Sequence, residues 1–334
     1  MIHAATARDR VLAALRRQAV HPVPVGAVTQ SATVQQMEEL SIGWPEAHSD
    51  PELMAGLAEG ACTLLGFDLA RVPFDQTIEA ELLGAEIERG SRTSNCSVRS
   101  HPLSLGDPLP PFPDLSSGRA WTVVEAISIL RYRLGRSAAV IGGIVGPFTL
   151  TCQMLEISAV LTEALRHPGT LRPYVDFAVA LGAEYARRQV YAGADAICIE
   201  DMSASLDLTS PGIYQDIILP AQRRLIAEIK APVILHICGS NNRILELLWQ
   251  TGAAALSLEN RTDLARAAEG PCAIVGGVPP VEILLSGSCE DVQRASAACL
   301  AAGVNLLAPG CGLPPQTPSE NLRVMTRAAH DWKR

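Results

Sequence analysis

Short apolar runs recur along this chain, each followed by a longer stretch of helical periodicity, and that alternation restricts the fold to a sheet of parallel strands. The runs are Val23–Val28, Leu69–Pro73, Ala138–Val145, Ala194–Ile199, Pro232–Ile237, Ala255–Leu258, Cys272–Gly276 and Val304–Leu307. Eight such strands close a (β/α)8 TIM barrel, although a doubly wound sheet could use most of them. Helical patterns lie between them at Pro51–Leu65, Trp121–Leu134, Leu171–Tyr191, Ile213–Ile229, Asn242–Gln250, Cys289–Ala302 and Ser319–Trp332. Asp50-Pro51-Glu52 has the form of an N-cap with proline in the first turn, and Pro318-Ser319-Glu320 that of a second helix start. The first twenty residues read as a short amphipathic helix placed before the barrel.

One region interrupts the alternation. From Ile78 to Gly118 the chain makes a long excursion, with a hairpin over Leu83–Arg89 followed by a Ser- and Pro-rich tract, and a lid over the barrel mouth is one reading of it. No linker or short repeat divides the 334 residues, so the expectation is one domain over 1–334 with an inserted excursion at 78–118.

Composition narrows the partners. With 35 acidic against 27 basic residues, the net charge of -8 argues against nucleic acid and against an anionic membrane surface. The charge-free stretch Ser137–Leu155 contains Gly142, Gly143, Gly146 and Pro147, which suits a buried strand and a helix start better than a membrane span. Nine cysteines, an odd number at scattered spacing and without an export signal, fit a reducing cytoplasm.

Barrel chemistry gathers at the C-terminal ends of the strands. The fifth run ends His236-Ile237-Cys238-Gly239, and strand alternation puts His236 and Cys238 on one face. The last run leads into Cys311 between Gly310 and Gly312, at the same end of the barrel. One imidazole and two thiolates suit Zn²⁺ far better than Mg²⁺ or Ca²⁺, and three protein ligands leave a position open, as catalytic zinc requires. A thiol entering that position would lose its proton and become a nucleophile. The other strand ends carry acids. Asp75, Glu200-Asp201 and Glu259 are candidates to orient a ligand, act as general acid or contact substrate, with helix capping the competing reading for Asp201 and Glu259. Cys62, Cys152, Cys198, Cys272, Cys289 and Cys299 read as small buried hydrophobes. The segment Gly142-Gly143-Ile144-Val145-Gly146-Pro147 lacks the Lys-Ser/Thr of a phosphate loop, and suits close backbone approach at a strand-to-helix turn.

With these residues in place, the chain resembles the uroporphyrinogen decarboxylase superfamily, and within it the zinc-dependent methylcobamide:thiol methyltransferases such as those that methylate coenzyme M. The resemblance runs through VPVGAVTQSATVQQMEE, GWPEAHSDPELMA, FDLARVPFDQTIEAELLGAEIERG, GGIVGPFTL, ILHICGS and APGCGLPPQTPSENL, nearly the whole chain. It implies that His236, Cys238 and Cys311 hold zinc, because the branch pattern is H-x-C followed by a distant C. It further implies a methylated corrinoid delivered on a partner protein and a small thiol, such as coenzyme M, as methyl acceptor. No D-x-H-x-x-G corrinoid motif is present in the chain. Two other readings accompany this one: a metal-free, decarboxylase-like tetrapyrrole enzyme and a non-catalytic corrinoid-binding module. Against the first, the arginine-rich substrate segment of the decarboxylases has no counterpart, Arg17-Gln18 being read as coincidence.

Overall fold

Strand alternation sorts the buried side chains into two shells. In the computed structural model, which describes residues 6–333, Leu69, Ala139, Ala196, Ala255, Ala273 and Leu306 share an inner cluster with Val28, Ile141, Cys198, Ile234, Val275 and Ala308. Their strand neighbours Ala70, Val140, Ile197, Leu235, Leu256, Ile274 and Leu307 belong to the larger outer core, against the helices. The strands in chain order are β1 (Leu69–Val72), β2 (Ile87–Glu88), β3 (Ser97–Val98), β4 (Ala139–Val145), β5 (Ala196–Glu200), β6 (Val233–His236), β7 (Ala255–Leu258), β8 (Ala273–Val278) and β9 (Leu306–Pro309). β2 and β3 form a small antiparallel hairpin, and the other seven run parallel in the order β1-β4-β5-β6-β7-β8-β9.

The eighth stave is reduced to a bridge. Val25 pairs in parallel with Leu307 of β9, and on its other side its carbonyl accepts from the Asp68 amide at 2.8 Å, immediately before β1. The expected strand at Val23–Val28 therefore closes the TIM barrel without being a regular strand. Pro22 and Pro24 remove ladder donors from this segment, which limits its pairing. The foot of the barrel is plugged by the helix Ala7–Leu15, started by a Thr6–Asp9 capping box, whose Val11 and Leu15 join the inner cluster.

Several helix expectations shift with local chemistry. Asp50 caps Pro51–Leu65 by accepting from the Leu53 amide at 2.9 Å, whereas the closing helix Ser319–His330 has Pro318 at its N-cap and no side-chain cap bond. The pattern at Asn242–Gln250 yields only the single turn Leu245–Leu248, because Asn241 and Asn242 use their side chains on the Ile237 and Arg261 carbonyls of neighbouring loops. Cys289 departs from the buried reading: as the first residue of the helix Cys289–Ala301, after its Ser288 cap, it is exposed, and Cys62 is half-buried. The excursion begins with the helix Ile78–Leu82. Its hairpin lies at Ile87–Val98 rather than Leu83–Arg89, since Gly84 at φ 96° ends the preceding helix and turns the chain. The excursion is tied down by Asn95 donating to the Phe74 carbonyl at 2.6 Å and by the Leu103 amide donating to Met154. None of the described helices is long and apolar enough to cross a membrane.

Candidate functional site

Towards the C-terminal ends of the strands the inner shell changes from apolar to polar. Two residues beyond Leu69, Cys198, Ile234 and Ala255 come Arg71, Glu200, His236 and Ser257, all buried. Parallel register sets Glu200 beside His236 and His236 beside Ser257, so neighbouring strands deliver these groups side by side.

His236 sits at the end of β6 with Nδ1 at 3.1 Å from Ser257 Oγ and 3.2 Å from the Ser257 carbonyl. Donation from Nδ1 leaves Nε2 as the free lone pair, and Nε2 faces Cys238 Sγ at 3.4 Å. Cys238 Sγ lies 3.7 Å from Cys311 Sγ. Gly239, at φ 81°, supplies the left-handed turn that takes the chain away directly after Cys238. The ligand atoms of His236, Cys238 and Cys311 all lie within 4.8 Å of one another. A tetrahedral ion with metal–sulfur bonds of ~2.3 Å places neighbouring sulfurs about 3.8 Å apart, so the donor atoms fit zinc in spacing as well as in type.

The protonation pattern follows from crowding two thiols and an imidazole together. The hydrogen bond from Cys238 draws Cys311 well below the ordinary thiol range; burial opposes this, and the His236 side chain and the Gly312 amide reinforce it. Cys238 is correspondingly pushed up, first by its bond to Cys311, then by burial and the Cys311 charge. Burial works against an imidazolium at His236, but the bond to Cys311 and the charges of Cys311, Glu200 and Glu259 outweigh it and raise its pKa. The pocket thus favours a cation.

The acids separate into distinct roles. Glu200 is buried and pushed up chiefly by that burial; the Arg71 guanidinium and the His236 imidazole act in the opposite direction. Arg71 and Gln76 both bond its carboxylate. Glu259 accepts from the Gly239 amide at 2.6 Å, which holds the turn after Cys238. Asp201 faces away, accepting from the Thr149 amide and hydroxyl at 2.8 Å and from Gln222 at 2.9 Å. Neither Glu259 nor Asp201 caps the helix that follows it. The glycine segment packs as a close-approach turn: a Cβ on Gly143 would come within 2.6 Å of Arg71 Nη2, and one on Gly146 within 2.3 Å of Asp201.

Asp75 lies in a second cluster. It pairs with Arg119, with His48 Nδ1 at 3.1 Å and with Thr77. Burial opposes its charge, yet the His48 bond and Arg119 hold its carboxyl well below the usual range. His48, Asp75 and Cys96 form the other His/Cys/Asp group among the described residues. Reading the sequence overlooked Ser257, Arg71, Gln76, His48 and Arg119. Arg71, an arginine inside an apolar strand, was the one visible signal; Ser257 gave none, because its role depends on register.

Similarity to known proteins agrees with this geometry. The family model described as Uroporphyrinogen decarboxylase (URO-D) matches residues 6–332. The methylcobamide:CoM methyltransferase MtbA of Methanosarcina acetivorans is 37% identical, over 98% of both chains. MtaA of Methanosarcina barkeri, also a methylcobamide:CoM methyltransferase, is 34% identical over 98% of both. A solved methyltransferase structure from Methanosarcina mazei superposes with a TM-score of 0.94 at 33% identity, covering 98% of this chain and 99% of that one.

Proposed function

Because this chain belongs to the uroporphyrinogen decarboxylase family, we propose that within it the protein is a methyltransferase carrying a methyl group from a methylated corrinoid, delivered on a partner protein, to the thiol of coenzyme M. The observation that carries this reading is the His236–Cys238–Cys311 cluster at the barrel mouth, in a chain matched end to end by methylcobamide:CoM methyltransferases.

His236, Cys238 and Cys311 would hold zinc, which supplies a Lewis acid that keeps the acceptor thiol deprotonated at neutral pH. Ser257 fixes the His236 ring so that Nε2 is the donor atom. The Glu259 bond to Gly239 fixes the backbone behind Cys238. Arg71 and Gln76 hold the Glu200 carboxylate beside His236, so the acid faces the cluster without an unpaired charge of its own. A thiol held there would accept the methyl group, a carbon–sulfur bond forming as the methyl carbon's bond to the corrinoid breaks and leaves its electron pair on the corrinoid. All nine cysteines are unpaired, which supports a reducing compartment such as the cytoplasm. Arg17, the residue nearest in type to a decarboxylase substrate arginine, donates to the Ala268 carbonyl at 3.0 Å, before the start of β8 and at the opposite end of the barrel from the cluster.

The test uses zinc-loaded protein, methylcobalamin and coenzyme M, following the corrinoid spectrum and the methylated thiol together. Stoichiometric methyl transfer that stops on chelation is expected. Zinc-replete protein that demethylates methylcobalamin with no thiol would overturn the reading.

A further inference from the structure

The acceptor named above is a thiol with a sulfonate two carbons away, and its anionic end needs a place beside the cluster. Three sides are unsuitable. Glu200 stands beside His236 on β5 with its carboxylate already taken up by Arg71 and Gln76, and Glu259, which holds the turn after Cys238, presents a carboxylate that repels a sulfonate. The nearest buried cation, Arg71, is committed to Glu200 and to the Pro73 carbonyl. Arg261, further out, is paired through two nitrogens with Asp207 at 2.8 and 3.1 Å.

The remaining side is the loop after β9. There Gln30 lies against Gly312, the residue that follows Cys311. A Cβ on Gly312 would come within 3.3 Å of Gln30 Cβ and 3.5 Å of its Oε1. The Gln30 carbonyl accepts from the Leu313 amide at 3.1 Å, which fixes the backbone beside this loop. Gln30 is half-buried, and among the described residues its side-chain amide has no hydrogen-bond partner. Next to it the buried Thr29 hydroxyl also lacks a partner. A primary amide offers two N–H donors without bringing in a cation that would compete for the Cys311 thiolate.

We infer that Gln30 is a specificity-determining residue whose side-chain amide donates to the sulfonate of the acceptor thiol. This rests on the function proposed above and adds the residue that selects a sulfonated thiol over an uncharged one. The segment Val23–Val28, which closes the barrel through Val25, thereby also carries the acceptor-reading side chain two residues past its end.

The experiment compares wild type, Gln30→Leu and Gln30→Glu as zinc-loaded full-length proteins. With methylcobalamin as donor, kcat/KM is measured for 2-mercaptoethanesulfonate and for 2-mercaptoethanol; ethanesulfonate, which lacks a thiol, is titrated calorimetrically into zinc-loaded and zinc-stripped protein. A hydrogen bond to a charged group implies a fall of about tenfold or more in the acceptor ratio for Gln30→Leu. Gln30→Glu lowers the ratio further, and both variants weaken ethanesulfonate with or without zinc. An unchanged ratio together with unchanged ethanesulfonate binding in both variants overturns the inference. If wild type methylates neither thiol, the proposed function fails instead, and ethanesulfonate binding still decides whether Gln30 reads a sulfonate. Metal content near one zinc per chain in each variant excludes collapse of the site as the cause.

Discussion

Two clusters in this barrel use nearly the same side chains. His236, Cys238 and Cys311 meet at the ends of β6 and β9, while His48, Asp75 and Cys96 meet where the excursion returns over β1. The difference is one guanidinium. Arg119 contacts Asp75 and Glu81 and lies 4.0 Å from Cys96 Sγ, so the second cluster carries its own cation. Burial pushes Cys96 up to about 12, with the Asp75 charge adding to it and Arg119 opposing. The first cluster has no guanidinium among its groups, and crowding with Cys238 and His236 draws the Cys311 thiol well below the ordinary range. Affinity for a divalent ion depends on this charge balance and not on residue types alone. The second cluster is a self-neutralised knot pinning the excursion to the barrel.

Four measurements can break this contrast. Replacing Cys311 by Ala is expected to reduce bound zinc from about one per chain to near zero and abolish thiol methylation, whereas Cys96→Ala leaves the zinc content intact. Elemental analysis of both variants checks it, and metal loss from the Cys96 variant would show that the clusters are not distinct. Next in size, Arg119→Met strands the buried Asp75 charge, and denaturant unfolding should show a loss of about 3–5 kcal/mol. Ser257→Ala removes one of two acceptors at His236 Nδ1, so zinc competition with a chelator should show about a tenfold weaker site.

The smallest effect is one of pH. Glu79, whose carboxylate accepts from the Val145 amide at 2.8 Å, is pushed up to about 7 by burial, with that amide bond opposing. A raised carboxyl favours the fold while protonated, so its contribution is complete below the ordinary glutamate range and is lost as pH rises through about 7. Glu79→Gln should therefore stabilise more at pH 8 than at pH 5 in paired urea titrations. Equal shifts at both pH values would remove Glu79 from the account.

Much of the barrel is legible in the chain because parallel strands buried on both faces read as continuous apolar runs. Seven of them return as strands, Ala255–Leu258 with both ends unchanged and the others with ends moved by at most two residues, β8 extending past Gly276 to Val278. The first run reads as a full strand because hydropathy does not register missing donors; Pro22 and Pro24 explain its reduction to a bridge. The excursion was harder to place, since its hairpin ladder is only two residues deep on each side and leaves almost no period-two signal. In the cluster, His236 and Cys238 share a strand end and can be placed from spacing, and Cys311 announces itself by its flanking glycines.

Asp75 shows where that reasoning ends. In sequence it is a strand-end acid like Glu200 and Glu259, and only folding shows it paired with Arg119 and His48. What the sequence by itself determined was the alternation that makes a barrel and the three zinc-type donors at its strand ends, because periodicity and side-chain chemistry are local properties. What only the tertiary structure decided was which charges neutralise one another. Register brings Ser257 to His236, the crossover helix brings Arg119 to Asp75, and the barrel-closing segment brings Gln30 to Gly312. Those pairings join residues distant in the chain, and the low dielectric of the interior turns each into a choice between a locked pair and a group free to react.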